Sequence, residues 1–372
     1  MDISRFYRQL TTYHCHSAVL FLLVVMLSFT NSAHAQKAVP DPDSTERDSV
    51  TYPLFYEDEP LELWLEMDLR KVLNDRGDDP DYHPLTVRLT DPFSGPLVLD
   101  ARVKVRGNFR KQRDNCPFPP LRLNFKKDQL EGTVFDGQDK LKLVTHCRTN
   151  RAFYEQFLLQ EYLVYKMYNQ LTEKSFRVRL LKITYEDSRG RSEPFSRYGF
   201  LIEDEDLLAE RLGGRILEVN NVHPDRTDKE LSSLLPLFQF MIGNTDWSIP
   251  GLHNIKLVIP EEGGTPTPIP YDFDMSGIVN TPYAEPPAIL NIRSVTERVY
   301  RGFCQSPEEY QKAFAEFNGL KESIYKLYKD HSPPLEEDEL RQSISYLDEF
   351  FEIINDERKS NREVIEACRS DR

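Results

Sequence analysis

Apolar and polar residues alternate in short runs through the first half of this chain, and a period of two commits such runs to strands with one buried face. The clearest are residues 61–68 (LELWLEMD), 85–89 (LTVRL) and 101–106 (ARVKVR). Residues 118–125 (FPPLRLNF) and 140–146 (KLKLVTH) read as consecutive strands joined by a turn containing Gly132 and Gly137. Residues 177–185 (RVRLLKITY) and 197–203 (RYGFLIE) read as two more. One segment breaks the alternation. In residues 148–171, Phe153, Phe157, Leu158, Tyr162, Tyr165 and Met167 follow helical spacing with no Gly or Pro between them, so a long helix is expected there.

The second half changes character. Residues 229–242 (KELSSLLPLFQFMI) read as a mostly buried helix disturbed by its proline. A polar loop follows, then a strand at 254–259 (NIKLVI), a Gly/Pro turn (EEGGTPTPIP) and the acidic motif YDFD. Residues 306–367 are helical in pattern, highly charged and split by Pro333 and Pro334. A mostly β part followed by a mostly helical part implies an α+β protein of two lobes, with polar motifs at their junction.

The N-terminus carries an export signal. Arg5 and Arg8 precede an apolar run at residues 18–29, and Ala33 and Ala35 offer the small-x-small exit, so cleavage after Ala35 is expected. The run is shorter than the roughly 20 residues a spanning helix needs, although an uncleaved anchor is the alternative. Residues 36–58 are polar, acidic and Pro-containing, and read as a linker. No second long apolar stretch follows, so no membrane span is expected after cleavage. A net charge of −14 argues against nucleic acid as a partner.

Cys116, Cys147, Cys304 and Cys368 follow the leader, with no C-x-x-C spacing to suggest zinc. If the strands at 118–125 and 140–146 pair antiparallel with Asn124 or Phe125 near Gln138 or Asp139, Cys116 falls opposite Cys147. Cys304 with Cys368 then follows by elimination.

Three segments hold polar residues where a bare core would not. They are Arg106-Gly107-Asn108, residues 241–254 (MIGNTDWSIPGLHN) and residues 270–277 (PYDFDMSG). Phosphoryl transfer needs a carboxylate facing the acceptor hydroxyl and oxygen ligands for Mg²⁺, which takes one or two protein carboxylates. Asp246, Asn254 and Asp272 offer these in order. Singly, each has an ordinary reading: Asp246 as a cap, Asn254 as a loop residue, His253 as a structural histidine, Arg106 as a buried ion-pair partner. LIEDEDLLAER at 201–211 lacks the calcium-loop pattern and reads as a helix start.

The order RGN, long helix, GFLIE, GNTDW…HN and YDFD resembles the CotH kinase family over roughly residues 100–280. These are secreted or spore-coat proteins of atypical protein-kinase-like fold, with HipA-like kinases as distant relatives. The resemblance implies a mostly β N-lobe at 59–205 carrying the long helix, and a mostly helical C-lobe at 206–372. It implies an exported kinase, secreted or periplasmic, that moves phosphate from ATP with Mg²⁺ or Mn²⁺ to a protein hydroxyl. Asp246 would be the catalytic carboxylate. Asn254 and Asp272 would hold the metal, with Asp274 the rival for the second place. Arg106 belongs to the motif, Arg122 would touch the phosphates, Glu155 or Glu161 would orient that basic group, and Glu203 would lie near the adenine.

Departures leave other readings open. The family's strand after RGN usually carries lysines where this chain has Pro119, Pro120, Arg122 and Asn124. Arg holds phosphate by a planar fork rather than as a point charge, which can preserve binding while altering transfer. The alternatives are a catalytically inactive nucleotide-binding or scaffold protein, and an exported calcium-binding or structural module.

Overall fold

Strand β1 (Leu61–Met67) buries Leu61, Leu63, Leu65 and Met67 and turns Glu62, Trp64 and Glu66 outward, as its alternation requires. The same pattern runs through β2 (His83–Asp91) and β3 (Gly95–Val105). These strands belong to a computed structural model that describes residues 53–370. The expected leader, its cleavage point and most of the 36–58 linker lie outside the described residues. Pro53–Phe55, at the end of that expected linker, form a 3₁₀ turn that buries Leu54 and Phe55.

The strands β4 (Leu121–Phe125), β5 (Lys140–Val144), β6 (Val178–Asp187) and β7 (Phe195–Ile202) continue the sheet, and its seven strands close in the order β1-β2-β3-β4-β5-β7-β6. Neighbours run antiparallel except β1 and β6, whose parallel pairing from Leu61↔Leu181 to Met67↔Asp187 completes the circle. Closure abolishes the sheet edges. The interior is a single apolar cluster drawn from all seven strands, with Val87, Val103, Leu123, Leu143, Ile183 and Leu201 among its members.

The helices form a second core against the outside of this barrel. Helix α1 (Leu69–Asn74) is a short turn after β1, and α2 (Tyr154–Leu171) lies between β5 and β6 in the chain. The chain continues through α3 (Glu205–Arg211), β8 (Gly214–Ile216), α4 (Lys229–Met241), β9 (Ile255–Pro260) and β10 (Thr267–Pro270). It ends in α5 (Pro307–Lys329), α6 (Glu337–Asn355) and α7 (Glu357–Ser360). Ser306 and Glu309 cap the start of α5 reciprocally, with Pro307 in its first turn. Val144, Val178, Leu180, Phe200 and Ile202 face this second core together with α2, α4, α5 and α6. Residues 178–181 are therefore buried on both faces, which accounts for their unbroken apolar-rich run.

The expectation of a two-lobe, kinase-like fold is not met. The fold is a closed seven-stranded barrel joined to a helical region, and the described residues fall within one compact unit. Alternation specifies that each strand has one buried face but carries nothing about closure. That depends on β6 returning to pair with β1.

Strand positions and cysteine pairing follow the sequence closely. Phe125 N donates to Asp139 O and Phe118 bridges to Cys147, which seats Cys116 against Cys147 in a disulfide with Cα atoms 4.9 Å apart. Cys304 and Cys368 form the second, also with Cα atoms 4.9 Å apart. Such bonds fit an oxidising, extracellular setting. Among the described residues no helix is long and apolar enough to cross a membrane.

Strands β8, β9 and β10 form a small separate sheet in which β9 is central. Its packing is tight at Gly214, where an added Cβ would lie 2.3 Å from the Ile259 carbonyl oxygen. Gly214→Ala is expected to cost about 1–3 kcal/mol through overpacking, read as a lower urea midpoint. An unchanged midpoint would show that β8 can move off β9 freely.

Candidate functional site

The β9–β10 hairpin brings two of the polar motifs together. Pro270 pairs with Ile255, so Asn254 just before β9 lies beside Tyr271 just after β10, and Tyr271 N donates to Asn254 O at 3.1 Å. Asn254 and Asp272 both adopt left-handed backbone, with φ of 51° and 63°. Asn and Asp are the non-glycine residues that tolerate this, and such strain concentrates at functional sites. Phe273 is fully buried against Tyr165 and Phe238, which anchors the DFD segment. Asp272 faces the solvent of a cleft, whereas Asp274 is buried.

Helix α4 delivers Asp246. Gly243, at φ 65°, follows the end of α4 and turns the chain back. Asp246 then accepts from His253 Nε2 at 2.6 Å through Oδ1 and from Asn254 Nδ2 at 3.0 Å through Oδ2. The amide of Asn254 is thereby oriented with its donor toward Asp246.

The opposite wall comes from the loop after β3. Gly107, at φ 88°, allows the sharp exit, and Arg106 N still pairs with Pro120 O at 2.9 Å. Arg110 reaches Glu161 Oε2 on α2 at 3.3 Å, Asp274 Oδ2 at 3.2 Å and Thr145 O at 3.2 Å. Tyr283 donates to the same Asp274 oxygen at 2.9 Å. Burial works against the charge of Arg110, but Tyr283, Asp274, Glu161 and Asp272 together raise its pKa well above the usual value. Burial pushes the Glu161 carboxyl up to about 8 despite Arg110.

Together these elements enclose a cleft of about 350 Å³. Arg106, Arg110, Lys142, Asp246, Asn254, Asp272 and Asp274 all line it, and its apolar end is made by Val144, Phe176, Ile202 and Tyr271. Arg106 has no hydrogen-bond or ion-pair partner for its guanidinium among the described residues. Burial lowers its pKa, with Asp272 opposing that shift. The Lys142 ammonium, 3.3 Å from Glu205, is lowered by burial, with Glu205 opposing and Arg106 reinforcing the shift. Asp272 is open to the cleft yet surrounded by protein on most sides. That loss of bulk water, with Asp274 adjacent, raises its carboxyl to about 6 against the pull of Arg110 and Arg106.

No protein-family model matches the chain, and no curated protein matches its sequence.

The remaining expected residues, Arg122, Glu155, Glu161 and Glu203, do not line the cleft. Arg122 lies on β4 in register with Lys104 and Lys142, and its Nε is buried without a partner, but it does not line the cleft. Glu155 accepts from Tyr198 N at 2.6 Å and lies 3.9 Å from Arg197, not beside Arg122. Glu161 pairs with Arg110, also not with Arg122. Glu203 is held by Arg211 through two bonds of 2.8 and 2.9 Å and by Arg177 N at 3.0 Å, and it does not line the cleft. LIEDEDLLAER opens α3, with Asp204 capping it.

Two charged cleft residues escaped the sequence reading. Lys142 is the second lysine of KLKLV, and the register that paired the cysteines also sets it beside Arg122. Arg110 carried no signal beyond its place four residues after Arg106.

Glu203→Ala would leave Arg211 buried and uncompensated, at a cost of about 3–5 kcal/mol in unfolding free energy. Ligand affinity in the cleft should not change in the folded fraction. A loss of affinity with unaltered stability would instead make Glu203 a ligand-facing residue.

Proposed function

We propose that this chain transfers a phosphoryl group from ATP, bound with Mg²⁺ or Mn²⁺, to a hydroxyl of a protein outside the cytoplasm. The observation that carries the reading is a cleft with walls of opposite charge: Arg106 and Lys142 on one side, Asp246, Asp272 and Asp274 on the other. A metal–polyphosphate complex has that same division of charge. Among the described residues no three His, Cys, Asp or Glu side chains form a metal cage. Mg²⁺ on a nucleotide needs no such cage, because one or two protein oxygens suffice beside phosphates and water.

The residues fit these groups. Among the described residues Arg106 makes no hydrogen bond or ion pair through its guanidinium, and the Asp272 carboxylate opens on the cleft and makes no ion pair, although Arg106 and Arg110 act on it across the space between. When bound, ATP supplies the phosphoryl group and the divalent ion neutralises charge on its phosphates. Asp272 and the Asn254 side-chain oxygen would hold the ion. Asp274, already engaged by Arg110 and Tyr283, is the weaker candidate for that place. Arg106 and Lys142 would hold the phosphates. Asp246, steadied by His253 and Asn254, would orient the acceptor hydroxyl.

The motif resemblance to the CotH kinase family supports the reading. The fold does not enter it, since chemistry belongs to the site rather than to the architecture. Export, with a leader ending near Ala35, is part of the proposal, and the two disulfides support it.

Calorimetry with ATP and Mg²⁺ or Mn²⁺, together with incorporation of labelled phosphate into protein, tests this. Asp246→Ala should reduce transfer by about 10²–10⁴-fold while nucleotide still binds. Arg106→Ala should weaken ATP binding by about 10–100-fold, the worth of a hydrogen bond to a charged group. Binding without transfer in the unaltered protein would favour a catalytically silent nucleotide binder. Heat with Ca²⁺ alone would favour a calcium module, and wild-type transfer after Asp246→Ala and Asp272→Ala would remove the enzyme reading.

A further inference from the structure

The loop that supplies the basic wall has little regular structure of its own. Residues 106–116 pass from β3 to β4 as bends and turns, with Gly107, Asn108 and Phe109 exposed. Its order depends on a few tethers. Arg110 donates to Thr145 O, Glu161 and Asp274, Lys111 Nζ donates to Gly77 O at 2.8 Å, and Arg76 donates to Lys111 O at 3.0 Å and Cys116 O at 2.9 Å. The one covalent tether is the bond from Cys116 to Cys147.

The far end of that bond bears directly on the cleft. Cys147 follows β5, the strand whose Lys142 and Val144 line it. The bond therefore ties the exit of the Arg106–Arg110 loop to the strand bearing the other cleft cation. Both sulfurs lie in a small buried cluster with Tyr154, against which Tyr283 packs. Tyr283 in turn donates to Asp274 and contacts the Phe109 ring, centroids 5.7 Å apart. Through Tyr283 the bond is linked by packing to residues of both walls.

The barrel, by contrast, does not need it. Pairing of β3 with β4 and of β4 with β5 runs through Val105↔Leu121 and Leu121↔Leu143, and neither cysteine belongs to the barrel's apolar interior. Cys304 and Cys368 line no part of the cleft.

We propose that the Cys116–Cys147 bond is a positioning element for anion binding: it holds the Arg106–Arg110 loop in place opposite Asp272, and breaking it lowers affinity for a polyphosphate while the barrel stays folded. The inference rests on the reading of the cleft as a polyphosphate site. The physical basis is preorganisation, since a loop already ordered by a crosslink loses less conformational entropy when its side chains grip a ligand. A dithiol can break the bond by two exchanges. Its own sulfurs join, and the two electrons and two protons it gives up leave Cys116 and Cys147 as thiols.

Inorganic tripolyphosphate with Mg²⁺ serves as the probe, titrated into the full chain and into two double variants. Cys116→Ser with Cys147→Ser should bind about tenfold more weakly or worse, while Cys304→Ser with Cys368→Ser should stay within about twofold of the unaltered protein. Equal affinity in the first variant, with its circular dichroism unchanged, overturns the proposal. If the unaltered protein takes up no tripolyphosphate, the polyphosphate reading itself fails and this inference falls with it. Should the first variant not fold, the second variant is treated with dithiothreitol. Affinity falling as two further thiols per chain appear, and returning on reoxidation, supports the proposal. Constant affinity, or loss of the fold on reduction, overturns it.

Discussion

Arg110 is the joint on which the site depends. Its guanidinium ties the loop after β3 to Glu161 on α2, to Asp274 beyond β10 and to the carbonyl of Thr145 after β5. Four segments distant in sequence therefore share one cation. Asp274 and Glu161 are buried, and buried carboxylates are costly unless paired. Arg110 lowers that cost for both, leaving Asp272 as the DFD carboxylate that faces the cleft. The oppositely charged walls stand a cleft's width apart because this ion bridge fixes one wall to the other.

Much of the architecture is legible in the residues because it follows local rules. Alternation locates β1, β2 and β3, and helical spacing locates α2 and α4. Register then pairs Cys116 with Cys147, since antiparallel strands carry their pairing outward beyond the last ladder bond. Closure of the barrel is not local. It depends on β6 lying parallel to β1, and an alternating strand looks the same at an open edge as inside a ring. Strand β10 was hidden for another reason. Its two prolines, Pro268 and Pro270, read as a turn, yet β10 is an edge strand where a missing N–H is tolerated.

The site was legible in a different way. Asp246, Asn254 and Asp272 stand out because Asn and Asp at such positions have no core role, and the hairpin between the last two brings them together. Arg122 and Glu203 show where that reasoning stops. Each is the right residue type in or beside the right strand, but partners such as Arg211 are set by packing that a sequence does not display. Lys142 and Arg122 occupy neighbouring positions on adjacent strands. Choosing between them required knowing which one the helical region leaves open to the cleft.

The corrected fold leaves the chemistry of the cleft in place, for a physical reason. The cleft is not inside the barrel. Arg106 follows β3, Pro120 precedes β4, and Lys142, Val144 and Ile202 lie on β5 and β7, so the barrel contributes only an outer wall. The facing wall comes from the segment after α4 and from the β9–β10 hairpin. Whether the strands behind the first wall close on themselves changes how rigid that wall is, not which side chains it presents. A closed barrel has no edge strand to fray or slip, so its outer face is a firm support for Lys142. The Arg106–Arg110 loop lies outside that support, and its position is set by Arg110, Arg76 and the crosslink to Cys147 just after β5.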